Sequence, residues 1–564
     1  MYFRHLHLLS AIRRTRGVEP FIRRPRHRLL CALGPVGLLF LAATSHALGQ
    51  DPGEIPDSLV HVLEPLVVEG RMDDLVGIAS TASEGRTGSL DLRLRPLMRE
   101  GELLETVPGL ISTQHSGDGK SNQLFVRGFN LDHGTDFSTT VEGMQVNLPT
   151  HAHGQGYTDV NFIIPELVDH VEYKLGNYYA EIGDFGAAGA AHLRLRRSLD
   201  RPFLATTVGE NGFRRVVAAA SHGLGPGVLL AGMELKGYDG PWVVAQDLRK
   251  RAGALRYSRA RGNQLCSLLA IGYQNEWHAS DQIPLRLVED GTISRFSQVD
   301  STLGGATARA SLSATWSRVG EGNSQRLDLY GITYDLDLYS NFTYFLDDPD
   351  RGDQIQQEDD GRTVLGANFA HVETIHRHTL TLGFQTRADL LDVSLRKTSQ
   401  RNVDATVRRD EGTQWSSGSY ASLESRWSPR FRTVLGLRGD VYRFDMTSDL
   451  QENSGNTSDA IASPKASLIF SPTTDLELYL SGGLGFHSND ARGTVHSTDP
   501  ASGEPVEPVD PLVRSAGAEL GARATFLDRW RTTVTAWTIT LDSELLFVGD
   551  AGTTEASFGS RRFG

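Results

Sequence analysis

From Pro202 onward the sequence repeats one pattern, in which apolar and polar residues alternate along segments cut by short turn signals. Leu476, Leu478, Leu480 and Leu484 fall on one side of an extended chain, with Glu477 and Ser481 on the other. Phe431 to Phe444 and Thr379 to Ala388 alternate in the same way. Turn signals stand at Gly223-Leu224-Gly225-Pro226, Arg261-Gly262-Asn263, Gly320-Glu321-Gly322-Asn323, His376-Arg377-His378, Ser428-Pro429-Arg430, Ser471-Pro472-Thr473-Thr474 and Asp528-Arg529. Longer polar stretches lie between them, at Asp347 to Arg362, Gln451 to Ala460 and Ser488 to Leu512. A period of two needs a sheet with one apolar and one polar face. Short connections alternating with long ones are the arrangement of a membrane β-barrel, and the seven turns predict 15 or 16 strands of roughly ten residues each.

Composition agrees. A hydrophobic content of 39% and a mean hydropathy of −0.29 exclude a bundle of membrane helices, and past the leader no apolar run reaches the ~18 residues of a spanning helix. The leader is residues 1–47: Arg13, Arg14, Arg16, Arg23, Arg24, Arg26 and Arg28, an apolar run from Leu29 to Ala43, then Ser45-His46-Ala47. This reads as a secretory signal peptide. Removing its eight arginines and one glutamate takes the formal net charge from −13 to −20, which argues against nucleic acid as a partner. Cys266 is then the one remaining cysteine, so an intrachain disulfide is excluded.

Residues 48–88 read as a linker, with Asp51-Pro52-Gly53 and Pro56 breaking regular structure. Residues 89–200 mix short helical and strand patterns, and Pro96 to Val107 reads as a helix ended by Pro108-Gly109. Gly128, Gly143 and Gly176 fall at turns between apolar strands. Five short motifs follow in order here: Leu104-Glu105-Thr106-Val107-Pro108-Gly109-Leu110, Phe125-Val126-Arg127-Gly128-Phe129, Val141-Glu142-Gly143-Met144-Gln145-Val146, Val171-Glu172-Tyr173-Lys174-Leu175-Gly176 and Phe185-Gly186-Ala187-Ala188-Gly189-Ala190-Ala191. The series resembles the plug domain of TonB-dependent outer-membrane receptors over roughly a hundred residues. It departs at Gly189-Ala190-Ala191-His192, where the family's ending is richer in glycine.

The resemblance implies an N-terminal α+β plug domain inside an antiparallel transmembrane β-barrel, residues 201–564, of a type that closes with about 22 strands. The predicted count falls short of that, and Ser560-Arg561-Arg562-Phe563-Gly564 lacks the usual closing strand, so the expectation is a barrel missing its last several strands. Glu64-Pro65-Leu66-Val67-Val68-Glu69-Gly70 resembles the TonB box, a β-prone run able to pair edge-on with a partner sheet. The implied activity is active import across the outer membrane of a scarce nutrient, a metal–siderophore complex or other metal chelate. TonB would act with ExbB and ExbD, and outer-membrane lipid would surround the wall. No cofactor is implied.

The most unusual local element is the loop Asn147 to Asp159, Asn-Leu-Pro-Thr-His-Ala-His-Gly-Gln-Gly-Tyr-Thr-Asp. His133, Asp136, His151, His153, Gln155 and Tyr157 are the candidate ligand contacts at the plug apex, where family plugs face the outer pocket. Imidazoles with a carboxylate suit a transition-metal ion or chelate, with His151 and His153 as candidate metal ligands; the plainer reading is a hydrogen-bonded glycine-rich loop. Gly154 and Gly156 lack the pattern of a phosphate loop. Arg127 is expected to meet carboxylates of the wall, and His487 and Arg492 to sit on an outer loop, able to meet an anion. Tyr339 to Phe345 is a candidate aromatic girdle. No nucleophile–base pair or paired-carboxylate arrangement is visible, so an enzyme is not expected and an outer-membrane hydrolase has no support. The competing reading is a passive porin or adhesion barrel without energy coupling.

Overall fold

The computed structural model describes residues 75–564 apart from 115, 280, 344–347, 351, 501, 528–529 and 549–552. The expected signal peptide, residues 1–47, and the box-like segment Glu64 to Glu69 lie outside the described residues.

The plug begins with β1 (Glu84–Thr87) and a short helix α1 (Ser89–Leu94). It continues through β2 (Ile111–Thr113), β3 (Gln123–Val126), β4 (Phe129–Asn130), β5 (Phe137–Val141), β6 (Met144–Gln145), β7 (Val168–Leu175) and β8 (Gly189–Leu195). Five of these form one mixed sheet in the order β1-β7-β8-β5-β6, with β5 and β8 parallel; β2, β3 and β4 form a second sheet. The turns follow from backbone sterics. Arg127-Gly128 (φ +49 and +73) and Glu142-Gly143 (φ +51 and +87) are two-residue hairpin turns with both central residues left-handed, the geometry that matches strand twist. The expected helix at 96–107 is replaced by a 3-10 turn, Glu100–Thr106. Pro96 ends α1's continuation, and the Glu102 carboxylate accepts the Met98 and Arg99 amides instead of leaving them to a longer helix.

The wall is one antiparallel sheet. Its strands are β9 (Phe203–Val208), β10 (Arg214–Leu224), β11 (Gly227–Tyr238), β12 (Leu248–Arg261), β13 (Gln264–His278), β14 (Gly304–Val319), β15 (Asn323–Ser340) and β16 (Ile355–Ile375). It continues with β17 (His378–Ser399), β18 (Asn402–Ser428), β19 (Phe431–Ser448), β20 (Gly455–Thr473), β21 (Leu476–Ser488), β22 (Leu512–Phe526) and β23 (Trp530–Leu541). A small hairpin, β24 (Leu545–Val548) with β25 (Thr553–Ala556), precedes β26 (Ser560–Phe563), which pairs with β23. The sheet has 16 strands, ordered from β26 through β23 to β9, so the expected 15 or 16 is met; among the described residues β26 and β9 do not pair with each other.

The six turn signals among the described residues fall between paired strands at one end of the wall, and the longer connections, such as those between β13 and β14, β15 and β16, and β21 and β22, fall at the other. Strand length was underestimated. β16, β17 and β18 run to 21, 22 and 27 residues. Residues 355–362 and 455–460, expected as loop, are strand. Beyond the lipid a barrel wall stands in water on both faces, so polar residues extend the ladder there without cost.

Outward residues are apolar at mid-height, with Leu312, Leu329, Leu365, Leu437 and Leu480 exposed. Exposed Trp427, Phe431, Phe470, Phe526 and Trp530 gather beside the short turns and form an aromatic band there. The girdle expected at Tyr339 to Phe345 is not formed by Tyr339, which is buried with the Arg401 guanidinium 4.9 Å over its ring. The principal core joins plug to wall: Phe137, Val141, Leu167, Val171 and Leu193 pack with Val217, Leu248, Ile271, Tyr334 and Ile539. Among the described residues no helix is long and apolar enough to cross a membrane.

Candidate functional site

The loop 147–159 is pinched at its base by a bridge between Leu148 and Tyr157, the Leu148 amide donating to the Tyr157 carbonyl at 2.9 Å. Inside it Asn147 reaches back into the plug, donating to the carbonyls of Gly134 (3.0 Å), Phe137 (2.9 Å) and Gly156 (3.3 Å). The wall holds the loop's backbone. Arg387 donates to the Asn147 carbonyl (2.8 Å), Arg362 to that of Thr150 (2.6 Å) and Arg492 to that of His151 (2.7 Å). Each of these arginines is paired with a nearby carboxylate, Asp389, Asp359 and Asp490 respectively, so no buried charge is left alone.

The histidines are brought together, but not as the spacing suggested. His133 Nδ1 donates to the Asn122 carbonyl at 3.2 Å, and His133 Nε2 faces His153 Nε2 at 3.1 Å. His153 Nδ1 donates to the Gln357 side-chain oxygen at 2.7 Å. His151 stacks on Tyr157 with ring centroids 3.9 Å apart; its Nδ1 accepts the His153 amide, and its Nε2 lies 3.7 Å from Asp359. Burial pushes all three imidazoles well below their ordinary pKa, with Lys120, Arg362 and Arg492 adding repulsion. Asp159, at the loop's end, is pushed up to about 6 by burial.

His151 and His153 turn their ring nitrogens to different partners, and among the described residues no group of three or more His, Cys, Asp or Glu side chains could hold a metal ion. His133, Asp136, His151, His153, Gln155 and Tyr157 are all buried. Segment 488–492 covers them. Gln155 donates to the Ser488 carbonyl (2.8 Å) and accepts the Asp490 amide (3.0 Å), and Thr150 Oγ1 accepts the Ala491 amide (2.7 Å). His487 donates to Asp136 (2.9 Å), so neither His487 nor Arg492 stands on a solvated loop face. His151 Nε2, His487 Nε2, Gln357 Nε2 and Gln414 Nε2 are among the buried atoms here that make no hydrogen bond within the described residues.

Arg127 lies against the wall, donating to Glu519 at 3.0 Å and to Ser83 at 2.7 Å, with the Trp537 ring 4.9 Å from its guanidinium carbon. The residues that sequence reasoning missed are Gln357, Asp359, Gln414 and Asp184. Gln357, Asp359 and Gln414 sit far along the chain from the apex and reach it through wall register, and Asp184 is a plug residue met by Tyr442 and Ser488 from the wall, none of which a local pattern encodes.

Comparison with known proteins agrees with this architecture. Residues 242–562 match the profile described as TonB dependent receptor-like, beta-barrel, and residues 86–190 match the TonB-dependent receptor plug domain. Among solved structures the chain is similar to the ferric citrate transporter FecA in its unliganded form, with TM-score 0.69 and 11% identity over 85% of this chain and 73% of that one. It is similar to the copper transporter OprC, with TM-score 0.67 and 14% identity over 85% and 75%. The ferric yersiniabactin uptake receptor FyuA from Yersinia pestis matches with TM-score 0.63 and 14% identity over 84% and 74%. At these identities the likeness is one of fold.

Proposed function

The chain belongs to the TonB-dependent receptor family of outer-membrane plugged β-barrels, and from that premise we propose that it imports a metal–siderophore complex or other metal chelate. The observation that carries the reading is the sewing of the plug apex to segment 487–492, where β21 runs into a long loop, through Gln155, Thr150, Asp136 and Arg492. A cargo that displaces this segment pulls directly on plug backbone. Signal from outside thus has a mechanical route inward.

The buried donors favour a chelate over a bare ion, because no ligand shell is assembled for one among the described residues. The neighbours named for copper, ferric citrate and ferric yersiniabactin support a metal-bearing cargo. The apex residues form the floor such a cargo meets once the covering segment lifts. Export by the leader places the box-like segment Glu64 to Glu69 in the periplasm, where TonB, driven by ExbB and ExbD, would pair with it as an added strand.

Two measurements test this. Growth of cells carrying the protein, compared under iron, zinc, copper, nickel and cobalamin limitation, identifies the cargo class. Deletion of residues 64–70 is expected to abolish uptake while leaving surface binding intact. Uptake that survives the deletion would favour a passive barrel and end the energised reading.

A further inference from the structure

The plug is seated unevenly. On one flank it is sealed to the wall by buried ion pairs: Arg256 holds Glu142 through both terminal nitrogens at 3.1 Å, and Lys250 bridges Glu100 and, at 2.8 Å, Glu234. Next to this seal, where β5 and β8 face β16 to β18, a polar cavity of about 80 Å3 remains between plug and wall, enough for several waters. Thr140 and His192 line it from the plug; Asn368, Gln385 and Ser416 line it from the wall. All five are half-exposed although they face the lumen. The bonds that cross the gap run mostly to plug carbonyls, that of Arg387 to Asn147 (2.8 Å) among them. Asn368 donates to the Gly143 carbonyl (2.7 Å) and Gln385 to the Glu181 carbonyl (3.2 Å), while Arg438 reaches the Ala180 and Glu181 carbonyls at 3.5 and 3.4 Å.

The gap has a direction. Toward the short turns, inward residues such as Ala370, Val372, Thr381 and Ser422 stay half-exposed, so solvent reaches up from that side. Toward the long loops, Arg387, Asp389, Arg408, Asp410 and Gln414 are buried. At the closed end Asp184 accepts the Ser488 amide (2.7 Å), the Ser488 hydroxyl (2.6 Å) and the Tyr442 hydroxyl (3.1 Å). These bonds tie the plug to the start of the same segment that covers the apex.

We infer that this gap is the track along which a hydrophilic solute passes the plug, and that Asp184, bonded to Ser488 and Tyr442, is the gate at its outer end. The inference rests on the import reading for its purpose, but its geometry is testable without cargo or TonB. The wall's arginines beside the gap are already paired, Arg438 with Asp440 and Arg387 with Asp389. The lining therefore offers hydrogen bonds without trapping one sign of charge, which suits a solute carrying its own hydration or polar chelating groups. Breaking a few bonds to carbonyls widens the track, whereas opening the other flank means separating buried charges.

The test uses single thiols in a Cys266→Ser background, in proteoliposomes with the long loops outward, probed with a methanethiosulfonate reagent carrying a trimethylammonium group. With reagent inside, Ser416→Cys is expected to react within about tenfold of Glu321→Cys on an exposed short turn, and Ser311→Cys, buried on β14, at least about 100-fold more slowly. With reagent outside, the Ser416→Cys thiol is expected to be protected and to become reactive when Asp184→Ala is added; Tyr442→Phe provides a milder opening should Asp184→Ala not fold. A Ser416→Cys thiol as inert as that of Ser311→Cys, or outside protection unchanged in both gate variants, would overturn the inference. Deleting residues 64–70 should leave these rates unaltered, so their failure and the failure of energised import are separately visible.

Discussion

At His133, His151 and His153 burial disfavours the charged imidazole, so each folded-state pKa lies well below 6.5. The unfolded chain therefore binds more protons below pH 6.5, and stability is flat above that value and falls as pH drops through it. Each histidine contributes a slope of up to about 1.4 kcal/mol per pH unit. Asp159, raised to about 6, acts in the opposite sense: its folded form takes up a proton first between pH 6 and 3.8, which partly offsets the loss. Exchange protection of the Leu148 amide is expected to fall between pH 7 and 5. The double variant His133→Gln, His153→Gln should flatten that decline and Asp159→Asn should steepen it; a decline unchanged in all variants would assign it to other groups. Arg127 and Glu519 form the other residue-scale test. Removing either alone leaves a buried charge and is expected to cost about 3–5 kcal/mol. The double variant Arg127→Ala, Glu519→Ala should cost less than the sum of the singles when plug release is followed by limited proteolysis in urea.

At the scale of elements, the hairpin turn joining β5 and β6 brings plug backbone close against the wall. Gly143 has φ +87, and a Cβ there would lie 2.9 Å from the Asp328 carboxylate. Gly143→Ala is expected to weaken plug seating by about 1–3 kcal/mol through strain and that contact. Gly439→Ala, with nothing within 4 Å of its added carbon, should be neutral by the same urea measurement. Such turns were legible in the sequence because Gly, Pro and Asn supply the required backbone, as at Gly225, Gly262 and Gly322 on the short-connection end. The turn Gln400-Arg401 was not, since both residues take φ values of +49 and +64 without any of those signals. Strand ends were misjudged where polar residues continue the ladder into water. The plug motifs placed the apex loop, yet not its burial, because Gln357, Asp359 and Gln414 reach it only through the register of β16 and β18.

For the whole molecule, the point at which a pull from the N-terminus arrives decides what gives way first. The first described residues, ahead of β1, lie along the short-turn end of the wall, where Ala79 and Ala82 pack on Ile469 and Tyr479 and wall side chains hold their backbone. Arg432 donates to the carbonyls of Ile78 (3.3 Å) and Ala79 (2.8 Å), Arg523 to those of Ala82 (3.1 Å) and Glu84 (2.5 Å), and Glu477 accepts the Gly77 amide (2.8 Å). Each bond crosses from wall to plug at a different residue, so a force along the chain loads them one after another rather than together. The plug core behind them is shared with the wall and resists as a unit. Peeling of residues 77–84 is therefore the low-energy first step, and it frees Ser83, a partner of Arg127 and Glu519. Arg432→Gln with Arg523→Gln is expected to raise protease cleavage between residues 75 and 88 at least tenfold, in line with ~1.5–3 kcal/mol for each charged hydrogen bond lost, while the wall keeps its resistance to unfolding in detergent. Cleavage unchanged in that variant would place the first yielding step deeper, at the Arg127–Glu519 contact itself.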